Sequence, residues 1–195
     1  MRSLARTCLA STRRGLLAAA TAALAVSAGA ATPAQAAHIG LTPGMSAPGR
    51  DGAATITAAQ QVLSHINHVR AGGGLPAYTM LSGLVASGRA HDLRMASGCG
   101  LSHQCPGEAT FSARISAQGV RWTTAGENIG MGGPVAATPP AIAAMAMRLT
   151  DSMLAEVAPN DGHRRNLLSS TFHNIGIALY RDMHGTVWMT QDFTN

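Results

Sequence analysis

Charge is scarce in this chain: 12% of its 195 residues are Asp, Glu, Lys or Arg, and every basic residue is an arginine. The formal net charge of +5 suggests a basic protein, but its distribution removes that reading. Arg2, Arg6, Arg13 and Arg14 precede an uncharged run from Gly15 to Ala31, while all nine acidic residues follow Arg50. Without the first 36 residues, 10 arginines face nine acids, a net of +1. No electrostatic basis remains for nucleic acid or an anionic surface as partner. The chain also lacks internal repeats, an H-E-x-x-H zinc motif and a G-x-S-x-G nucleophile elbow, which excludes repeat architectures and two common hydrolase signatures. Cysteine is limited to Cys8, Cys99 and Cys105.

What is present begins with a secretory signal. A basic start, an alanine-rich apolar middle and the small-residue site Ala34-Gln35-Ala36 predict a signal peptide over residues 1–36, removed on export. With a cleavage site directly behind it, the apolar run predicts no stable membrane span in the mature chain. Arg13-Arg14, between Thr12 and Gly-Leu-Leu, suits a twin-arginine export signal and an ordinary one alike. Residues 37–55 are rich in Gly, Pro and small polar types, too poor in apolar surface to offset the entropy of ordering them, and read as a flexible lead-in. Residues 56–195 then suit one domain. Cys8 leaves with the signal, and in an oxidising compartment Cys99 and Cys105 are expected to form one disulfide.

Helical spacing of Ala59, Val62, Leu63, Ile66 and Val69 predicts a first helix, capped at Thr57 and ended by Gly72-Gly73-Gly74. Further helices are predicted over Leu81–Ala96 and Phe111–Gln118, and a short strand in "AGENIGMGG". Thr138 with Pro139-Pro140 starts another helix, whose stripe of Ile142, Met145, Leu149 and Met153 continues to Glu156. Two strand-like runs close the chain around "DMHG". His173, Ile175, Ile177 and Leu179 share one face of the first, and neither face is charged, so the strand should be covered on both sides. The pattern predicts an α+β fold, a three-layer α-β-α sandwich around a small antiparallel sheet.

Glu156 on an apolar stripe near a helix C-terminus would suffer desolvation and the negative end of the helix dipole. It needs a partner, and His163, just past the turn "PNDG", is placed to supply one. If the helix frays early, Glu156 points into water instead. His103 in "LSHQC" and Glu127 in "GENIG" also sit at element edges, giving two histidines and two glutamates that would form a convergent cluster. Asp161 is expected to cap a short helix after it, with Arg164 and Arg165 on that helix's solvated face. His65 and His68 read as a polar helix face, His91 as a hydrogen-bonded core residue, and His38, His173 and His184 have no assigned role.

The ordered set "LSH", "AGENIG", "DGHRRNLL" and "HNIGIALYRDMHGTVWMTQDF", from Thr57 to Phe193, resembles the CAP superfamily (cysteine-rich secretory proteins, antigen 5 and pathogenesis-related proteins; the SCP domain), in particular its secreted bacterial branch. The resemblance implies an α-β-α sandwich with a cleft tetrad of His103, Glu127, Glu156 and His163. The chain lacks the "GHFTQ" style motif and most disulfides of animal and plant members, so their activities transfer poorly.

Two histidines flanked by carboxylates suit a divalent ion, zinc first, with His103 and His163 as ligands; they equally suit a metal-free network in which each imidazolium neutralises one carboxylate. A weak metal site is favoured over an obligate cofactor. The function expected is that of a binding protein acting outside the cell or in its envelope, on a cleft ligand such as a lipid or envelope component. The alternatives are a hydrolase, with a glutamate as general base and an imidazole or metal-bound water as its partner, and an extracellular structural module.

Overall fold

The computed structural model describes residues 50–195, so the expected signal peptide and residues 37–49 of the lead-in lie outside the described residues. The elements run α1 (Arg50–Gly72), β1 (Thr79–Met80), α2 (Ser82–Arg94) continued by a π-helical turn (Met95–Cys99), α3 (Phe111–Ala117), β2 (Ala125–Gly132), α4 (Pro139–Leu154), α5 (Gly162–Leu167), β3 (Asn174–Arg181) and β4 (Val187–Thr194). The four strands form one sheet in the order β1-β3-β4-β2. β4 pairs antiparallel with β2 and β3, while β1 adds two residues parallel to β3. The expected antiparallel sheet is therefore extended by a parallel edge too short to leave a sequence pattern.

Alternate side chains of β4 define the layers, since successive residues of a strand face opposite sides. Thr190 donates to Asp92 of α2 at 2.6 Å, whereas Gln191 donates to Thr150 of α4 at 3.3 Å. One face thus carries α2 and α3, the other α1, α4 and α5. This is the α-β-α sandwich that the sequence predicts. The larger core lies on the α1/α4 side around Val62, Ile66, Ile142, Ile175, Ile177 and Phe193. Both faces of β3 are buried at its centre, as its uncharged faces require.

Two boundaries differ from expectation. α1 starts at Arg50 rather than Thr57, so residues 50–55 are helical and not lead-in. Ala53-Ala54 favours helix, and Ala54 is buried. α4 ends at Leu154, before Glu156.

Small residues let α2 approach the sheet. A Cβ on Gly176 would lie 2.3 Å from the Leu84 carbonyl carbon and 2.4 Å from the Val85 nitrogen, atoms of the helix backbone that cannot rotate away. Gly176→Ala is expected to cost about 3 kcal/mol, the upper end of overpacking effects. In urea unfolding the midpoint should fall while the slope stays unchanged; an unaltered midpoint would mean that α2 is not held against β3.

Candidate functional site

β2 is an edge strand of the sheet, and its alternation sends neighbouring side chains into different layers. Gly126 packs against Phe172 and Asn166 on the α5 side. Asn128 points the same way, donating to Gln191 Oε1 at 3.1 Å and to the His163 carbonyl at 3.2 Å. Glu127 faces the other layer, where the α3 residue Arg114 donates through Nη2 to its Oε2. Both side chains are almost fully buried. Arg114 Nη1 also donates to the carbonyls of His103 and Ala109, and it lies 3.7 Å from Glu108 Oε2.

His103 completes this half. Its Nδ1 meets Glu127 Oε1 at 2.8 Å, and its ring is 55% exposed. The Cys99–Cys105 disulfide is present, as expected, and closes the loop carrying His103. Behind it, Glu108 accepts from the Cys105 amide at 3.0 Å and from His91 Nδ1 at 2.9 Å. Burial alone would raise the Glu108 pKa; the Cys105 amide, His91 and Arg114 outweigh it and hold the carboxyl below its usual value.

The second half comes from the opposite layer. Glu156 lies past the end of α4, so the helix-stripe argument for it fails, yet it does not point away into water. Its Oε2 accepts from the amides of His163 at 3.0 Å and Arg164 at 3.3 Å, and its Oε1 meets His163 Nδ1 at 2.5 Å. Glu156 therefore caps the first turn of α5, the role expected of Asp161. Asp161 makes no side-chain cap bond and instead pairs with Arg165 Nε at 3.3 Å. The longer glutamate arm, returning from before the turn, already occupies the free N–H groups. Desolvation would raise the Glu156 pKa, but the His163 ring and the two amides lower it overall.

His103, Glu127, Glu156 and His163 line one hollow of about 620 Å³, together with Asn160 and Asn166. It straddles the β2 edge, taking one His–Glu pair from each layer. Both rings use Nδ1 on a carboxylate, and among the described residues neither Nε2 has a protein partner. Beside Glu127 stands a further cation that the sequence reading does not include, Arg114, together with the His103 ring.

Sequence reading missed Arg114, Asn128 and Asn166. Asn166 Nδ2 donates to Asn128 Oδ1 at 2.8 Å, tying α5 to β2 beside the hollow. It also missed Arg70, buried beneath α5, whose Nη1 donates to the Leu167 and Ser169 carbonyls while its guanidinium lies 3.6 Å from the Tyr78 ring centroid. The Asn in "GENIG" and in "HRRN" was the available signal, since a polar residue inside a glycine-bounded strand must find partners.

Elsewhere, His91 is fully buried and hydrogen-bonded, as expected. His65 pairs with Asp151 at 2.6 Å. Among the described residues, one group of three metal-ligating types has its ligand atoms within 4.8 Å of one another: His91, Cys105 and Glu108. A second hollow of about 660 Å³ is mainly apolar, between α1, α2 and β3, with Ile56, Met80, Val85, Ile177 and Leu179 in its walls and Arg89 as its cation. No helix of the described residues is long and apolar enough to cross a membrane.

Among solved structures, an extracellular protein containing an SCP domain from Bacillus anthracis superposes with a TM-score of 0.57 at 24% identity, over 72% of this chain and 41% of that one. An outer surface protein of Borrelia burgdorferi gives a TM-score of 0.59 at 13% identity, over 71% of this chain and 92% of that one. The chain thus spans less than half the length of the first, and both likenesses concern the fold. No curated protein sequence matches it. Residues 63–193, which hold both His–Glu pairs and all four strands but for Thr194, match one protein family, and the chain accordingly belongs to CAP, the Cysteine-rich secretory protein family.

Proposed function

We propose that the chain is an exported binding protein, acting outside the cell or in its envelope, whose hollow takes a polar ligand between His103 and His163. One observation carries this reading: each ring is held through Nδ1 by a carboxylate, leaving an Nε2 without a protein partner at a hollow that both rings line. A carboxylate on Nδ1 fixes that nitrogen as the N–H and leaves Nε2 as a lone pair, the arrangement that orients metal-binding histidines. The donor set therefore fits a divalent ion such as zinc, held by His103 and His163 with Glu127 and Glu156 orienting them. Two imidazoles make a weak site with room for an exogenous group, not an obligate cofactor. Bound there, the ion would supply Lewis acidity to that group.

The hydrolase reading has less support, because both carboxylates are committed. Glu127 is held by Arg114, and Glu156 by two amides and a ring. An acyl chain, if a lipid is the partner, suits the apolar hollow beside β3 better than this polar one. Export is supported by the signal-like residues 1–36 and by the disulfide, a bond that persists in oxidising compartments.

Calorimetric titration of the disulfide-intact mature protein with Zn²⁺ tests the reading. One weakly bound ion is expected, and His103→Ala with His163→Ala should weaken it at least about tenfold, since both ligands are lost. Unchanged affinity in that double variant would move the ion elsewhere and remove the ground for this site. If Glu127→Gln with Glu156→Gln unfolds the chain while the histidine variant loses nothing, the pairs only knit the fold together.

A further inference from the structure

We propose that Cys99, Cys105, His91 and Glu108 form a redox-gated zinc site, closed while the disulfide is intact and opened by its reduction. Ligand atoms of His91, Cys105 and Glu108 already lie within 4.8 Å of one another, and Cys99 Sγ is the bonded neighbour of Cys105 Sγ. Tetrahedral zinc with bonds of about 2.0–2.3 Å spaces its ligands roughly 3.3–3.8 Å apart, so the group needs contraction of the order of 1 Å, not rearrangement. Two thiolates, an imidazole and a carboxylate are a donor set that zinc takes.

The surroundings suit an enclosed ion. His91 is fully buried and Cys105 nearly so. His91 faces Glu108 through Nδ1, at 2.9 Å, which makes Nδ1 the nitrogen it offers to the cluster. Two thiolates and Glu108 carry three negative charges against two on the ion, and Arg114, 3.7 Å from Glu108 and shared with Glu127, offsets part of the remainder. Cys99 stands between Gly98 and Gly100, both at positive φ, so its sulfur can shift without strain on a side chain. In the oxidised state both sulfurs are spent on each other, and the group lacks a thiolate.

The chemistry closes without further reagents. A dithiol delivers two electrons and two protons to the Cys99–Cys105 bond; that bond breaks, two thiols form, and the dithiol leaves as its own disulfide. Zinc binding then expels both thiol protons to water, and the proton that His91 Nδ1 gives to Glu108 passes to Nε2, which frees the Nδ1 lone pair for the ion. Arg114 touches Glu108 on one side and Glu127 on the other, which links this site to the hollow.

The test is Co²⁺ titration of the mature protein, oxidised and after dithiol reduction and removal of the dithiol, followed by absorption. Reduced protein is expected to bind one Co²⁺ with tetrahedral bands and a thiolate charge-transfer band, which Zn²⁺ displaces; oxidised protein should show neither. Glu108→Gln and His91→Asn, checked for folding by circular dichroism, should each weaken this binding at least about tenfold. Absence of the charge-transfer band after reduction overturns the proposal. So does an equal band in folded Glu108→Gln and His91→Asn, or in a chain that reduction has unfolded, because the thiols alone would then be binding. Binding at His103 and His163 is distinguishable, as it carries no thiolate band and does not require reduction.

Discussion

Replacing Arg114 by methionine is expected to destabilise the folded chain by about 3–5 kcal/mol, the range for removing one partner from a buried ion pair. The substitution keeps most of the volume and removes the charge. Glu127 would lose the cation that donates to its Oε2, and Glu108 the one beside its own carboxylate, while both remain enclosed. Each would be left with an imidazole as its nearest compensating group. Arg114 also bonds the carbonyls of His103 and Ala109, so the loop bearing His103 should loosen in the same variant. Denaturant unfolding at neutral pH gives the first number, and amide exchange over residues 100–110 gives the second. Arg148→Met, at an exposed position of α4, serves as the control and should stay within about 0.5 kcal/mol of the parent. A loss for Arg114→Met no larger than that control would mean that the acids near it are hydrated or neutral.

The contrast between Arg114 and the tetrad shows where sequence reading succeeds. The stripe Ile142, Met145, Leu149 and Met153 announces α4, and its members are buried or half-buried against the core. The run before "DMHG" announces β3 because a strand covered on both faces leaves a long apolar pattern, whereas β4 after it is fully buried despite Thr190, Gln191 and Asp192. β1 does not announce itself, since two residues carry no period. Arg114 sits on a seven-residue helix where a lone arginine looks like a solvated side chain. Its burial is decided by carboxylates at 108 and 127, brought to it by a loop and by an edge strand, and no local pattern encodes that meeting. Glu156 extends a helical stripe in the sequence, but the helix stops at Leu154 and the residue acts by capping α5 instead. Residue and partner were legible; the force that joins them was not. The disulfide was legible from counting and compartment alone, whereas the gathering of His91 and Glu108 around it depends on the turn after α2.

Asp192→Asn should stabilise the chain, and the gain should grow with pH. Asp192 is fully buried on β4, directly across the ladder from Glu127. Burial first, and the nearby Glu127 charge second, push its pKa up to about 8. Arg114 pulls in the opposite direction, but this one cation already serves Glu127 and Glu108, so the third acid is better off neutral. The sign follows from proton counting. Between about pH 4, where an unfolded aspartate ionises, and about pH 8, the native state holds a proton that the unfolded state has lost. Stability contributed by this group is therefore fully present below pH 4 and declines as pH rises to about 8, by no more than about 1.4 kcal/mol per unit. Asparagine is neutral in both states and abolishes that slope. Relative to the parent, the variant should be near parity around pH 4 and ahead by up to about 4 kcal/mol at pH 7, with water penetration reducing the figure. Unfolding free energies measured across this window decide it. Parallel curves for parent and variant would mean that Asp192 is ionised in the folded chain, and a second cation would then have to be found for the interior beside Glu127.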